Sequence, residues 1–324
     1  MTDFSRVAFV WCGLSWPKVK NRPGTRPVCS VAAWPMVMEC DVIGWDSAKP
    51  NTAPARKIRR YDVFLVNLFT DSRHIEQIKR VHPDAFVVAM PDPYLELAIY
   101  AADTVILEQM ARADAIGARV QEGVSLYGAL YDKPAAWLPS PIGPPGVWDK
   151  YWDIEKEDAI IATEHNGYPR SSTATVAALA RMQRRIPEAT IHFYRPSPKT
   201  RTAAELAGLQ ATWHERVDYP RMVEATARAR WGIDLYGGHS QGRNLMTHAM
   251  AGTPVVGSNT NNPTGGLAVG PYCVEDAVAH VVANWKGPRY EEHRRNARNY
   301  VRATYGFDAS RRRMAHTLEG FGNG

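Results

Sequence analysis

The feature that most constrains the fold of this chain is an alternation of short apolar runs with helix-like segments, which occurs twice. In the first series, four runs rich in β-branched and aromatic residues are predicted to be buried strands: residues 6–14, 61–69, 85–90 and 103–109. Between two of them, residues 72–82 have the apolar spacing of a helix face. This alternation indicates a parallel sheet whose strands are joined by crossover helices.

The second series follows residues 137–148, a segment with four prolines and two glycines that suits neither a helix nor a central strand. We predict that it links two domains. Beyond it, the expected strands are 158–165, 189–194, part of 209–217, 231–237 and 253–258, and the expected helices are 174–187, 218–229 and 274–285. A chain of 324 residues is long enough for two such domains. We therefore predict two doubly wound α/β domains facing a central cleft, with a ligand at the carboxyl ends of their strands.

Composition places the chain among ordinary globular proteins, with 45% hydrophobic and 22% charged residues. No apolar run is long enough to span a membrane, and the start MTDFSR does not resemble a signal peptide. The four cysteines, Cys12, Cys29, Cys40 and Cys273, have neither metal-ligand spacing nor a disulfide pattern. We therefore expect a cytoplasmic protein with reduced thiols and no metal.

The positive charge of the chain is unevenly distributed. The net charge is +6, and residues 15–60 contain nine basic residues against three acidic ones. The basic residues are Lys18, Lys20, Arg22, Arg26, Lys49, Arg56, Lys57, Arg59 and Arg60. Such a cluster suits a polyanionic partner, because neutralising phosphates releases counterions. It equally suits a basic surface whose only role is solubility.

Residues 232–256 (GIDLYGGHSQGRNLMTHAMAGTPVV) read as a strand, a glycine-rich loop, a helix and a strand. The helix should begin near Gly242 or Arg243, so its first backbone N–H groups point into the loop and form an anion site. Arg243 adds a charge-assisted bond, and Asn244 and His248 lie four residues apart on one helix face. This unit favours a diphosphate site over a plain core connection.

This stretch resembles the nucleotide-sugar site of GT-B glycosyltransferases, especially a large retaining family. Residues 248–258 (HAMAGTPVVGS) match the end of the family's donor-binding helix, and residues 218–236 resemble the lead-in to it. The resemblance covers roughly residues 158–285 and implies a GT-B fold with a UDP- or GDP-sugar as co-substrate and no cofactor. Two glutamates of the family fall on Ser240 and His248. In the family, the second glutamate binds the ribose of the donor, and His248 could fill that role. The first glutamate contacts the transferred sugar, and Ser240 or Gln241 is a weaker equivalent there.

The resemblance also implies the rest of the donor site. The loop after the first strand of the second domain supplies a basic residue, here Arg170 beside Ser171, although the hydroxyls there could simply cap a helix. The base should lie near residues 213–217, where Glu215 or Arg216 could contact it. The predicted donor-binding residues are Arg170, Ser171, Glu215, Gly238, Ser240, Gln241, Gly242, Arg243, Asn244 and His248.

On the acceptor side, Asp92 follows an apolar strand and is predicted to act as a catalytic base, with a turn beside prolines as the alternative. Aromatic and basic residues alternate after the first strand and suit stacked bases or sugars. The predicted acceptor-binding residues are Trp11, Trp16, Lys18, Lys20, Arg22 and Arg26. In size, charge and layout the chain resembles phage enzymes that glycosylate hydroxymethylated pyrimidines in DNA.

The favoured acceptor is therefore a 5-hydroxymethylpyrimidine base in duplex DNA, exposed by flipping. A surface glycan or small-molecule acceptor, a nucleotide-sugar epimerase and a non-enzymatic nucleic-acid-binding protein are the alternatives. The predicted domains are an acceptor-binding domain at 1–145 and a donor-binding domain at 146–286. Residues 287–324 should form helices that either cross back to the first domain or present a solvated basic face.

Overall fold

The computed structural model describes residues 4–11, 27–68, 72–91, 104–164, 172–215, 217–235, 242–258, 268–270 and 272–322. The chain divides into two compact units, Met1–Pro141 with Tyr305–Gly324, and Ile142–Thr304. Every helix in the described ranges is too short or too polar to cross a bilayer.

The first unit is a six-stranded, fully parallel sheet with helices between its strands. Its elements are β1 (Val7–Val10), β2 (Val28–Cys29), α1 (Trp34–Met38), β3 (Asp41–Ile43), α2 (Ala55–Ile58), β4 (Val63–Leu68), α3 (His74–Val81), β5 (Phe86–Pro91), α4 (Thr104–Arg112), β6 (Ala115–Ala118), α5 (Glu122–Tyr131) and β7 (Ala135–Trp137). The strand order is β3-β1-β4-β5-β6-β7. The chain moves from β1 to β3 on one side and then crosses to β4 on the other. A switch point, where open α/β sheets bind ligands, therefore lies between β1 and β4.

The second unit is also built on a six-stranded parallel sheet. Its elements are β8 (Ile142–Gly143), α6 (Asp149–Trp152), β9 (Glu157–Thr163), α7 (Ser172–Arg185), β10 (Thr190–Tyr194), α8 (Pro198–Ala207), β11 (Thr212–His214), α9 (Tyr219–Arg228), β12 (Ala229–Asp234), α10 (Arg243–Met250), β13 (Val255–Ser258), β14 (Ala268–Val269), α11 (Val274–Asn284) and α12 (Tyr290–Tyr305). The last helix, α13 (Phe307–Gly322), belongs to the first unit. The order β11-β10-β9-β12-β13-β14 is that of a dinucleotide-binding Rossmann sheet, and its switch point lies between β9 and β12.

Each sheet is buried on both faces, as its near-continuous apolar strands require. In the first unit, Phe64 and Ile75 belong to one core layer, whereas Leu65 belongs to the other. Met314 of α13 is fully buried in that second layer. Burying a side chain of this kind contributes about 1.5–3 kcal/mol, so α13 is part of the first unit's core.

The prediction of a strand at residues 103–109 is wrong, because Thr104–Arg112 is the helix α4. Ile106 and Met110 are buried four residues apart, which is helical spacing, but the β-branched residues Val105 and Ile106 favour a strand by composition. The strand that belongs there is Ala115–Ala118, whose small residues give no strand signal. The other strands and helices predicted from the sequence are confirmed, with shifts at their ends.

Candidate functional site

Two helices, α7 and α10, begin beside the switch point of the second unit. A hydrogen bond joins α10 to β9, the strand before α7, and another joins α7 to the residue after β12, the strand before α10. Asn244, in the first turn of α10, donates from Nδ2 to the carbonyl oxygen of Thr163 at the end of β9, over 3.4 Å. In α7, the hydroxyl of Thr175 accepts from the backbone N–H of Leu235, just after β12, over 3.1 Å. These bonds hold both helix N-termini at one point of the sheet edge. Since each helix N-terminus carries about half a positive charge, the two together offer a favourable position for an anion.

The start of α10 is set by Gly242, which has a φ of 67° and a ψ of 42°. Glycine adopts this left-handed conformation without steric cost. The helix then begins at Arg243, which confirms the predicted start. Thr247 fixes this first turn, because its hydroxyl donates to the carbonyl oxygen of Arg243 over 2.9 Å and lies 3.0 Å from the hydroxyl of Tyr219 in α9.

Two glycines allow α10 to pack directly against the sheet. A Cβ atom on Gly232 of β12 would lie 2.2 Å from Cδ2 of His248, and one on Gly257 of β13 would lie 2.5 Å from a Cδ of Leu245. Neither position has space for a side chain. The helix is thereby fixed at close range to both strands, which also fixes the direction of its N-terminus.

His248 occupies the deep side of α10. Its side chain is 2% exposed, and its Nδ1–H donates to the carbonyl oxygen of Asn244 over 2.7 Å. Burial lowers the pKa of the imidazole to about 4, so the ring is neutral at pH 7. The ring packs against Gly232. Its role as the ribose contact stays a prediction.

Asn244 is a central polar residue of the site and is 4% exposed. Besides Thr163, its amide nitrogen lies 3.4 Å from Oδ2 of Asp234, the last residue of β12. Asp234 was missed by the sequence analysis, although it is a lone acid in the apolar run WGIDLY. Asn244 thus bridges the two strands that flank the switch point.

Glu164 is a second residue that the sequence analysis missed. It follows β9, is 7% exposed, and accepts hydrogen bonds from the backbone N–H of Ser197 (2.6 Å) and the hydroxyl of Thr200 (2.7 Å). The carboxylate therefore anchors the start of α8 to the same sheet edge. An acid directly after an apolar strand is the signal that could have revealed it.

Glu215 lies at the carboxyl end of β11, the outermost strand of the second sheet. Its side chain is 86% exposed and accepts from Nη2 of Arg201 over 2.7 Å. Arg195, after the neighbouring strand β10, has a φ of 56°, a left-handed conformation that is uncommon for an arginine. Its backbone N–H donates to the carbonyl oxygen of His214 over 2.8 Å, which ties the two strand ends together.

In the first unit, Trp11 follows β1 at the switch point, and its backbone N–H donates to the carbonyl oxygen of Ile43 over 3.1 Å. Many of the predicted site residues lie outside the described ranges. These are Asp92, Arg170, Ser171, Gly238, Ser240, Gln241, Trp16, Lys18, Lys20, Arg22 and Arg26.

Of the five described residues of the basic cluster, all but Lys49 lie at the other edge of the first sheet. Arg56 and Lys57 are exposed on α2, and Arg59 and Arg60 are exposed in the short segment that enters β4 at its amino end. Ligands of open α/β sheets bind at the carboxyl ends of the strands. These four residues therefore lie away from the edge at which such sheets bind ligands, and a basic field around the acceptor stays a prediction for the other five residues of the cluster.

Comparisons with known proteins identify the fold. No protein-family model and no curated protein matches the sequence. The structure is similar to that of Anabaena HepE in complex with UDP and glucose, with a TM-score of 0.66, 12% identity, and coverage of 97% of this chain and 99% of that one. Trehalose-6-phosphate synthase OtsA gives a TM-score of 0.67 and 10% identity, with coverage of 97% and 99%.

The GtfA/B complex gives a TM-score of 0.57 and 14% identity, and the match covers 83% of this chain but only 60% of that one. This chain therefore spans less than two thirds of that larger protein. The likeness to these structures confirms the predicted fold class, a GT-B fold of two Rossmann-like domains.

Proposed function

We propose that this chain is a glycosyltransferase that uses a UDP- or GDP-sugar as its donor. The observation that carries the proposal is the pair of helix N-termini tied together at the switch point of the second unit. Such a site suits a diphosphate. HepE, which has a similar fold, was solved with UDP and glucose, and this supports a nucleotide-sugar as the ligand.

In the proposed reaction, an acceptor hydroxyl oxygen forms a bond to the anomeric carbon of the sugar, and the bond to the nucleoside diphosphate breaks. The diphosphate leaves with the bonding electrons. The N-termini of α7 and α10 would stabilise its growing charge, and Arg243 and Arg170 would add charge-assisted hydrogen bonds.

The remaining donor contacts are proposed from the family resemblance. Ser171 would bind a phosphate oxygen, and the backbone at Gly238 and Gly242 would let the diphosphate approach closely. Ser240 and Gln241 would contact the sugar. Asn244 and His248 would lie next to the ribose, with Glu215 towards the base.

We predict that Arg243→Ala weakens UDP binding by about 10- to 150-fold. Removing one charge-assisted hydrogen bond costs about 1.5–3 kcal/mol, which corresponds to this loss of affinity. Titration calorimetry with UDP measures the effect. Arg312→Ala is the matched control, because Arg312 is exposed on α13 in the other unit. Equal UDP affinity of Arg243→Ala and the wild type would remove Arg243 from the donor site.

We also predict that Asp92→Asn lowers turnover by about 10²- to 10⁴-fold while UDP affinity stays near that of the wild type. A general base contributes this much by taking the proton from the acceptor hydroxyl. Asn keeps the size of the side chain but does not accept a proton. If the variant keeps most of its turnover, Asp92 is a turn residue.

For the acceptor, the proposal favours a 5-hydroxymethylpyrimidine in duplex DNA. Fewer basic residues support this acceptor than the sequence alone indicates. Four of the nine basic residues lie at the amino edge of the first sheet, so the DNA proposal depends on the other five, and mainly on Lys18, Lys20, Arg22 and Arg26. If these bind DNA, affinity should fall by roughly 0.9 log units per log unit of salt for each phosphate neutralised. Reversing their charges should flatten this dependence and spare donor hydrolysis.

One incubation experiment tests the donor and the acceptor together. UDP- and GDP-sugars are each incubated with hydroxymethylated duplex DNA, with free sugars and with sugar phosphates, and the products are identified by mass spectrometry. A mass increase on the DNA would support the DNA acceptor, and one on a sugar would favour the small-molecule alternative. Conversion of the donor to its epimer, without transfer, would replace the transferase proposal by the epimerase.

A further inference from the structure

Four exposed basic residues flank one buried residue in the segment that leads into β4. Arg56 and Lys57 lie on α2, and Arg59 and Arg60 follow it, whereas Ile58 between them is fully buried in the core of the first unit. The backbone N–H groups of Arg59 and Arg60 donate to carbonyl oxygens of the preceding turn, over 3.1 and 3.2 Å, so the turn continues past α2. These four basic residues are called the α2 basic face below.

The side chains of the α2 basic face point away from the core over a wide arc. A helical turn advances about 100° per residue, so the four positions cover roughly 160° on the side opposite Ile58. The segment is also fixed at its end. Tyr61 is 9% exposed, and its hydroxyl donates to Oδ2 of Asp41 over 2.5 Å. Buried side chains therefore hold the α2 basic face in place.

The charges of the α2 basic face are not paired within the described ranges. None of its four side chains forms an ion pair or a hydrogen bond there, and the nearby acid Asp62 is bonded to Arg6. Side chains three or four positions apart in a helical turn are neighbours, so several of these charges repel one another. A surface that serves only solubility mixes both signs of charge, whereas this one carries a single sign.

This arrangement suits an extended polyanion. Four cations spread over such an arc do not converge on one small anion, but each can meet a different phosphate along a nucleic-acid backbone. Three of the four are arginines, whose planar guanidinium group binds a phosphate through two donors. Anchoring to a membrane surface combines basic residues with exposed apolar ones. The large exposed apolar residues of the described ranges lie elsewhere in the sequence: Leu130, Leu206 and Tyr272.

The α2 basic face lies at the opposite end of β4 from the edge where parallel sheets bind ligands. The strand has six residues, Val63–Leu68, and a strand rises about 3.3 Å per residue, so the two edges are roughly 20 Å apart. DNA held at the amino edge would therefore be a different stretch from the one whose base is modified.

We propose that the α2 basic face binds the phosphate backbone of duplex DNA, without reading its sequence, at a stretch away from the modified base. This inference rests on the proposed function, in which DNA is the acceptor, and adds a second contact surface. The contact would keep the protein on DNA between successive transfers, because binding to the backbone is independent of sequence and permits sliding.

Fluorescence anisotropy with a labelled, unmodified duplex at several salt concentrations tests the proposal. The variant that combines Arg56→Gln, Lys57→Gln, Arg59→Gln and Arg60→Gln should bind at least about 10-fold more weakly, and its salt slope should fall by about 0.9 for each lost contact, up to about 3.6. Replacing the three arginines by lysine keeps the charge and should keep most of the slope. The melting temperature should stay near that of the wild type, because all four side chains are exposed.

The matched control combines Lys150→Gln, Arg184→Gln, Arg295→Gln and Arg312→Gln. It removes one lysine and three arginines from exposed positions on α6, α7, α12 and α13. An equal loss of DNA affinity in both variants would overturn the proposal, since net charge alone would then explain it. An unchanged salt slope in the α2 variant would also overturn it, as would weaker binding to phosphatidylserine vesicles with DNA binding intact.

Glycosyl transfer to hydroxymethylated DNA is measured on the same samples, which separates this proposal from the proposed function. If the wild type transfers no sugar to DNA but the α2 variant still loses DNA affinity and salt slope, the DNA acceptor fails and the second contact stands. If transfer occurs and the α2 variant binds DNA as the wild type does, the acceptor stands and the second contact fails.

Discussion

Gly232→Ala should destabilise the second unit by about 3 kcal/mol, at the upper end of the usual cost of overpacking a core. The new Cβ atom would lie 2.2 Å from Cδ2 and 2.6 Å from Nε2 of His248, whose ring is 2% exposed. Either the ring or α10 must move. Because α10 carries the N-terminus at the proposed donor site, UDP binding should weaken as well. Urea unfolding and calorimetry measure the two effects.

Gly320→Ala is the control for the Gly232 substitution. Gly320 lies in α13, and apart from the neighbouring residues and the backbone of its own helix no described atom lies within 4 Å of the position of its Cβ. The substitution should be neutral or stabilising by up to about 1 kcal/mol, because alanine favours a helix more than glycine does. A double variant with His248→Ala makes the test specific, since removing the ring should recover part of the loss. Equal stability of Gly232→Ala and the wild type would contradict the close packing.

Acidification from pH 7 to pH 5 should remove about 2 kcal/mol of stability for each of two buried histidines. Burial lowers the pKa of His74, in the first unit, and of His248, in the second, to about 4 from an ordinary 6.5. As the pH falls below 6.5, the unfolded chain takes up these protons first. The stability is therefore complete above pH 6.5 and is lost as the pH falls towards 4.

Urea unfolding at pH 7 and pH 5 measures this loss of stability, and the variant His74→Gln isolates the contribution of His74. His74 lies 3.0 Å from the carbonyl oxygen of Trp45 through Nε2, and the amide of Gln places a donor at the same position. The first unit of this variant should lose about 2 kcal/mol less on acidification than that of the wild type. His316→Gln, at an exposed site, should behave as the wild type does. An unchanged pH dependence in His74→Gln would exclude His74 as a source of the acid sensitivity.

Much of the fold could be predicted from the sequence because it depends on local patterns. The apolar runs predicted most of the strands, and the glycine before Arg243 predicted the start of α10. The order of the strands could not be derived in this way, and the switch points depend on it. The contact between Asn244 and Thr163 joins residues 81 positions apart, and no local pattern links them.

The positions of Asp234 and Glu164 suggest how more of the site could have been found. Each is an acid at the end of an apolar run, and each has a polar partner from another element. The charge cluster was counted along the chain, which does not show where its members lie in the fold. Arg60 precedes β4 and therefore lies at the amino edge of the parallel sheet, opposite the edge where such sheets bind ligands.

The placement of α13 has a consequence for biosynthesis. The first unit is discontinuous, since its core combines Met1–Pro141 with the last helix, whereas the second unit is one uninterrupted segment. During vectorial synthesis, the second unit has its whole sequence available while the first still lacks the helix that buries Met314. The first unit can therefore complete its core only after the whole second unit has been synthesised.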